Sequence, residues 1–140
     1  MIIITVTVFL AICAYTDIKE RVIHIHVLLP FLAAGIIYAA YSGGNTLLTA
    51  AAGAACGVFL LILSFFTKGA IGEGDGLALA VTGVYLGFSA NISLILTGLF
   101  LSAAASVITV LFKGWKKDRE IPFMPFLLTA FVLIKIGEKL

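Results

Sequence analysis

Two long stretches of the chain contain no Asp, Glu, Lys or Arg: residues 22–67 and residues 76–112. An apolar run of about 18 residues without charge is already long enough to cross a bilayer, and each stretch has room for two crossings at about 20 residues apiece. A helix packed on the surface of a water-soluble core would need a polar face, and neither stretch offers one. The whole chain is 62% hydrophobic and only 11% charged, against roughly 25% charged in ordinary soluble domains. The fold class read from this pattern is all-α, a polytopic membrane helix bundle occupying residues 1–140 as one domain.

Six apolar segments can be drawn: Ile2 to Thr16, Val22 to Tyr41, Thr46 to Thr67, two helices within Leu77 to Phe112, and Ile121 to about Ile134. The sequence "YSGGN" marks the turn between the second and third, and "GFSAN", residues 87–91, the turn within the long fourth stretch. Pro122 and Pro125 fall in the first turn of the last segment, where proline is tolerated because those N–H groups lack an intrahelical partner. Six transmembrane helices put both termini on one side. The linkers after the first, third and fifth carry Lys19 and Arg21, then Lys68, then Lys113, Lys116, Lys117 and Arg119. The linkers after the second and fourth carry no basic residue. The positive-inside rule then places the three basic linkers in the cytoplasm and both termini outside. The opening segment lacks the basic start and small-residue cleavage site of a signal peptide, and is read as a retained helix. Cys13 and Cys56 lie inside apolar runs as small buried hydrophobes, and no basic tract points to nucleic acid.

Among the seven acids, Asp118 and Glu120 sit among lysines, Glu138 is in the tail, and Glu20 lies between Lys19 and Arg21. Asp17 and Asp75 differ: Asp17 ends the first span in "AYTDIKERVI" and Asp75 begins the fourth in "GEGDGLAL". In this topology both stand at cytoplasmic helix ends and share one depth. An ionisable group at such a position points to a functional site. The plain structural reading is also open: Asp75 as the N-cap of the fourth helix, and Asp17 paired with Arg21 one turn on. Two carboxyls brought together in low dielectric share a proton and titrate as a pair. The ionised member draws a proton from water while the protonated one polarises a carbonyl, the aspartic-protease arrangement. That chemistry requires no metal and no covalent intermediate, so no cofactor is expected. Gly72, Gly74 and Gly76 alternate around Glu73 and Asp75 and permit close backbone approach, as an extended peptide beside Asp75 would need.

"GEGD" resembles the G-x-G-D motif of intramembrane-type aspartyl proteases. With "YTDIKERVI" before it and "IPFMPFLLTA" after it, the chain resembles the prepilin peptidase family, which includes preflagellin peptidases. The resemblance covers nearly the whole chain. It implies a catalytic pair, Asp17 and Asp75, and removal of a short basic leader from prepilin-like precursors at the cytoplasmic face of the cell membrane. It places Pro122, Phe123, Pro125 and Phe126 near the site, as shapers of the substrate groove or as a plain helix start. Two departures stand out. A lysine often found two positions after the motif aspartate is Leu77 here, with Lys68 the nearest base before the motif. Where relatives show I-P-N after the first aspartate, this chain reads "VIHIHV". His24 and His26, two apart, point to different helix faces and suggest interfacial polar residues rather than a metal site. The methylating region of larger relatives has no counterpart in these residues, so cleavage without methylation is expected. The expected partners are prepilin-like proteins and membrane lipid, with no nucleic acid; the oligomeric state, self-association included, is open. The alternative reading is a small transporter or ion-conducting bundle that uses Asp17 and Asp75 as proton or cation sites.

Overall fold

The computed structural model describes residues 1–43, 46–67, 72–113 and 121–138. The expectations placed on Lys68, Lys116, Lys117, Asp118, Arg119 and Glu120 lie outside these residues. Among the described residues the secondary structure is helical throughout: α1 (Ile2–Glu20), α2 (Ile25–Tyr41), α3 (Thr46–Phe66), α4 (Glu73–Lys113) and α5 (Met124–Gly137). α1, α3 and α4 are long and apolar enough to cross a membrane, and α2 and α5 are shorter apolar helices. Their outward faces carry large apolar side chains such as Ile4, Leu48, Phe59, Phe100 and Leu111. Water would disfavour so continuous an apolar surface, whereas lipid does not.

The helix boundaries depart from the sequence reading at several places, and α4 starts four residues before Leu77. α1 runs on through Asp17 to Glu20, and stops where Arg21 takes a left-handed conformation (φ 55°) with its N–H on the Asp17 carbonyl. α2 starts three residues late, because His24 is its extended N-cap. α5 begins at Met124 with Phe123 as N-cap, so Pro122 precedes the helix and only Pro125 sits in its first turn.

α4 comprises two helices that meet at Gly87. Gly87 interrupts it with φ 75° and ψ 179°, a backbone region open almost only to glycine. On the far side of that break, the Asn91 amide donates to the Leu79 carbonyl at 3.0 Å. Twelve residues of straight helix would hold those groups about 18 Å apart. The chain therefore doubles back at Gly87, giving a first arm (73–86) and a second arm (88–113). The expected turn within residues 87–91 is present, but it is made by Gly87 alone, and Asn91 is helical. Asn91 is fully buried. It also donates to the Gly53 carbonyl at 3.1 Å and accepts from the Thr82 hydroxyl at 2.9 Å. One amide thereby ties both arms and α3 together with every polar atom satisfied.

The first arm packs on α3 through small residues. A Cβ on Gly53 would stand 2.1 Å from the Gly83 carbonyl oxygen, and one on Gly57 would stand 2.1 Å from the Ala80 nitrogen. The two backbones touch along an antiparallel seam of Gly53 and Gly57 against Gly76, Ala80 and Gly83. Where lipid removes the hydrophobic drive between helices, such close approach supplies the packing energy. The Tyr85 hydroxyl donates to the Phe31 carbonyl at 2.6 Å and fixes α2 beside the first arm. The core joins Val6, Phe9, Leu10 and Cys13 of α1 to Leu79, Leu94 and the Met124, Leu127 and Phe131 side chains of α5.

Candidate active site

Each aspartate is carried by a different helix. Asp17 lies in the last full turn of α1 and Asp75 in the first turn of α4. Both are partly buried, and they stand at the same end of the bundle, where Ile23 of the connection after α1 lies against Gly74 beside Asp75. The structure thus places at one end of the bundle two acids 58 positions apart in sequence. Asp75 is not the N-cap considered above. α4 begins at Glu73, and Asp75 donates its backbone N–H to the Gly72 carbonyl at 3.1 Å.

The glycines of the motif have separate tasks. A Cβ on Gly72 would lie 2.9 Å from the Asp75 Oδ2, so the bare backbone there leaves room for the carboxylate. Gly74 faces Ile23, with a would-be Cβ 3.1 Å from that side chain, and so admits the α1–α2 connection beside the motif. Gly76 is buried against α3, where a Cβ would meet Leu61 at 2.9 Å. Glu73 is exposed and Leu77, at the position of the absent lysine, is also exposed.

The late Pro-Phe motif supplies the third element. The Met124 backbone N–H donates to Asp17 Oδ2 at 3.0 Å. Met124 opens α5, and the first N–H groups of a helix have no intrahelical acceptor. A carboxylate accepting one of them also meets the positive end of the helix dipole. Pro125, in the first turn, has no N–H to satisfy. Phe123 points toward the second arm, 3.6 Å from where a Cβ on Gly98 would be. Phe126 and Pro122 are partly buried beside this helix start. On the outer side of the cluster, His24 Nε2 and Glu20 Oε2 are 2.6 Å apart, and both side chains are about half exposed.

Sequence reasoning missed the Asp17–Met124 bond, the Asn91 node and the α3 seam. The node and the seam left signals. Asn91 is a lone amide in a charge-free run, and Gly53 and Gly57 form a G-x-x-x-G pair inside an apolar segment.

With this geometry in place, a model of the type IV leader peptidase family matches residues 4–112. The match includes both aspartates and the whole glycine motif. The chain belongs to the type IV leader peptidase family. It is thereby a peptidase of a membrane-embedded family, which agrees with its three membrane-length apolar helices. The matched region ends before α5, so the Asp17–Met124 bond lies partly outside what the family match covers. No curated protein and no solved structure matches the chain.

Proposed function

We propose that this leader peptidase is an aspartic endopeptidase whose working groups are Asp17 and Asp75, and that it removes short basic leaders from prepilin-like precursors at the cytoplasmic face of the cell membrane. What supports this reading is the position of Asp17 and Asp75, on separate helices, at one end of the bundle. One carboxylate accepts a proton from a water molecule as the water oxygen attacks the scissile carbonyl carbon. The protonated partner donates to the carbonyl oxygen as negative charge develops there. Collapse of the tetrahedral intermediate breaks the C–N bond, and the proton taken from water passes to the leaving amine. The Met124 N–H holds Asp17 in place through this cycle, and Gly72 keeps the Asp75 carboxylate uncrowded.

We take the membrane arrangement to be six crossings, with the two arms of α4 as separate spans and both termini outside. The basic residues Lys19 and Arg21 then mark the cytoplasmic end. The antiparallel pairs α1 with α5 and α3 with the first arm fit such alternation. The transport reading finds less support, since the fully buried polar side chains among the described residues are Ser64, Thr82 and Asn91, all uncharged.

The test is cleavage of a prepilin-like peptide by the purified protein in detergent. Loss of cleavage in both Asp17→Asn and Asp75→Asn, with both variants folded, is the expected result. Wild-type cleavage by either variant removes that aspartate from the catalytic pair.

A further inference from the structure

The helices end at very different depths relative to the carboxylates. On the far side of the site they are short. Asp17 is 15 residues from the start of α1 (17 minus 2), about 22 Å of helix, and α5 rises about 20 Å from Met124 to Gly137. The first arm reaches the Gly87 reversal only about 18 Å beyond Asp75. A hydrocarbon core is about 30 Å thick. The carboxylates thus sit about 18–22 Å from the far end of the bundle, well short of a full crossing.

On the near side the molecule is lopsided. Gly98 of the second arm lies against Leu127, so this arm passes the level of Met124 and Asp17 at about Leu101. It then continues as helix to Lys113, and Phe112 stands about 17 Å past that level. Val107, Ile108, Leu111 and Phe112 in this stretch are all exposed and apolar. α3 behaves alike: Leu61 lies against Gly76, and the exposed Phe65 and Phe66 follow one turn further on. Around α1 and α2 charge begins much nearer the site. Lys19, Glu20 and Arg21 are exposed within about 6 Å of helix rise past Asp17, followed by the exposed His24 and His26, with the exposed Ile18, Val22 and Ile25 interleaved among them. Leaving Phe112 and Leu111 in water, or burying Lys19, Glu20 and Arg21 in chains, would each be costly.

We infer that the near membrane boundary is stepped across this protein: lipid chains cover the second arm and the end of α3 well past the carboxylates, while around α1 and α2 the bilayer thins until headgroups and water stand at the level of Asp17. The inference rests on the six-crossing reading above. Its consequence is directional. Water and a charged leader reach the carboxylates from the α1–α2 side, and the apolar part of a substrate meets the site at the step. Thinning of this kind costs a fraction of a kcal/mol per ångström of mismatch, so thick bilayers oppose the active arrangement.

The experiment places spin labels one at a time by Ile18→Cys, Leu111→Cys and Phe88→Cys, in a full-length background with Cys13→Ala and Cys56→Ala, in phosphatidylcholine vesicles. The expected result is an Ile18 label open to a water-soluble paramagnetic relaxant and a Leu111 label open to oxygen but shielded from that relaxant. Equal exposure of the two labels to the water-soluble relaxant overturns the step. Reaction of the Phe88 and Ile18 cysteines with an impermeant thiol reagent from the same face overturns the six-crossing reading and the step with it. In the unsubstituted protein, peptide cleavage should fall by roughly fivefold or more from fourteen-carbon to twenty-two-carbon monounsaturated chains; a rate independent of chain length counts against the step. Absence of cleavage in every vesicle counts against the peptidase reading, while the label depths still decide the step.

Discussion

Gly72→Ala adds one methyl group to the motif and tests whether the Asp75 carboxylate must lie where the structure puts it. The new Cβ would stand 2.9 Å from Asp75 Oδ2 and 3.3 Å from its Cγ. Ordinary contact begins at about 3.4 Å, so the carboxylate moves by about 0.5 Å or rotates away. Gly72 stands just before α4, and its carbonyl accepts from the Asp75 and Gly76 N–H groups. Replacing glycine by alanine, where the conformation suits it, raises stability by about 0.4–1 kcal/mol through the unfolded chain. A misplacement of about 1 Å at a reacting group costs about 100-fold, and half of that implies roughly tenfold. The expected outcome is kcat lowered about tenfold, KM nearly unchanged, and thermal stability equal or higher. Gly137→Ala, with nothing within 4 Å of its Cβ, is the control and should match the parent. Steady-state cleavage of a saturating peptide and a thermal melt in the same detergent decide the matter. Full activity in Gly72→Ala would show that the position of the Asp75 carboxylate against Gly72 plays no part in the reaction.

Two further outcomes follow from the packing. Asn91→Leu keeps the volume but removes three hydrogen bonds; at about 0.6 kcal/mol per interhelical bond in a bilayer, with an upper value near 1.7, the loss should be about 2 kcal/mol, read by steric trapping or detergent unfolding, and an unchanged unfolding free energy would deny the node its structural role. Met124→Ala and Met124→Pro both remove the buried side chain, but only the proline removes the N–H on Asp17; proline is tolerated at the first helical position, so kcat about tenfold lower in the proline variant than in the alanine one is expected, and equal kcat would mean that this bond does not position Asp17.

What this sequence determined by itself was local and solvent-driven. Charge-free runs of membrane length dictate helices, because a backbone without water must satisfy its own N–H and C=O groups. The turn residues of "GFSAN" announce a reversal, and only the structure assigns it to Gly87. Asp17 and the G-x-G-D stretch stand out because carboxylates are scarce in such a chain. The tertiary structure decided what those residues meet. Nothing local to Asp17 indicates that its partner is a backbone N–H 107 positions later, since every helix start offers the same unsatisfied donors. Nothing local to Gly53 says that it touches Gly83 rather than lipid, because small residues pack wherever a complementary backbone can approach. The unequal depths of α1 and the second arm likewise emerge only when Gly98 is set beside Leu127 and Asp17 beside Met124. Hydropathy records how far each segment is apolar, while the register between segments comes from side-chain and backbone complementarity across the bundle, which no single stretch encodes.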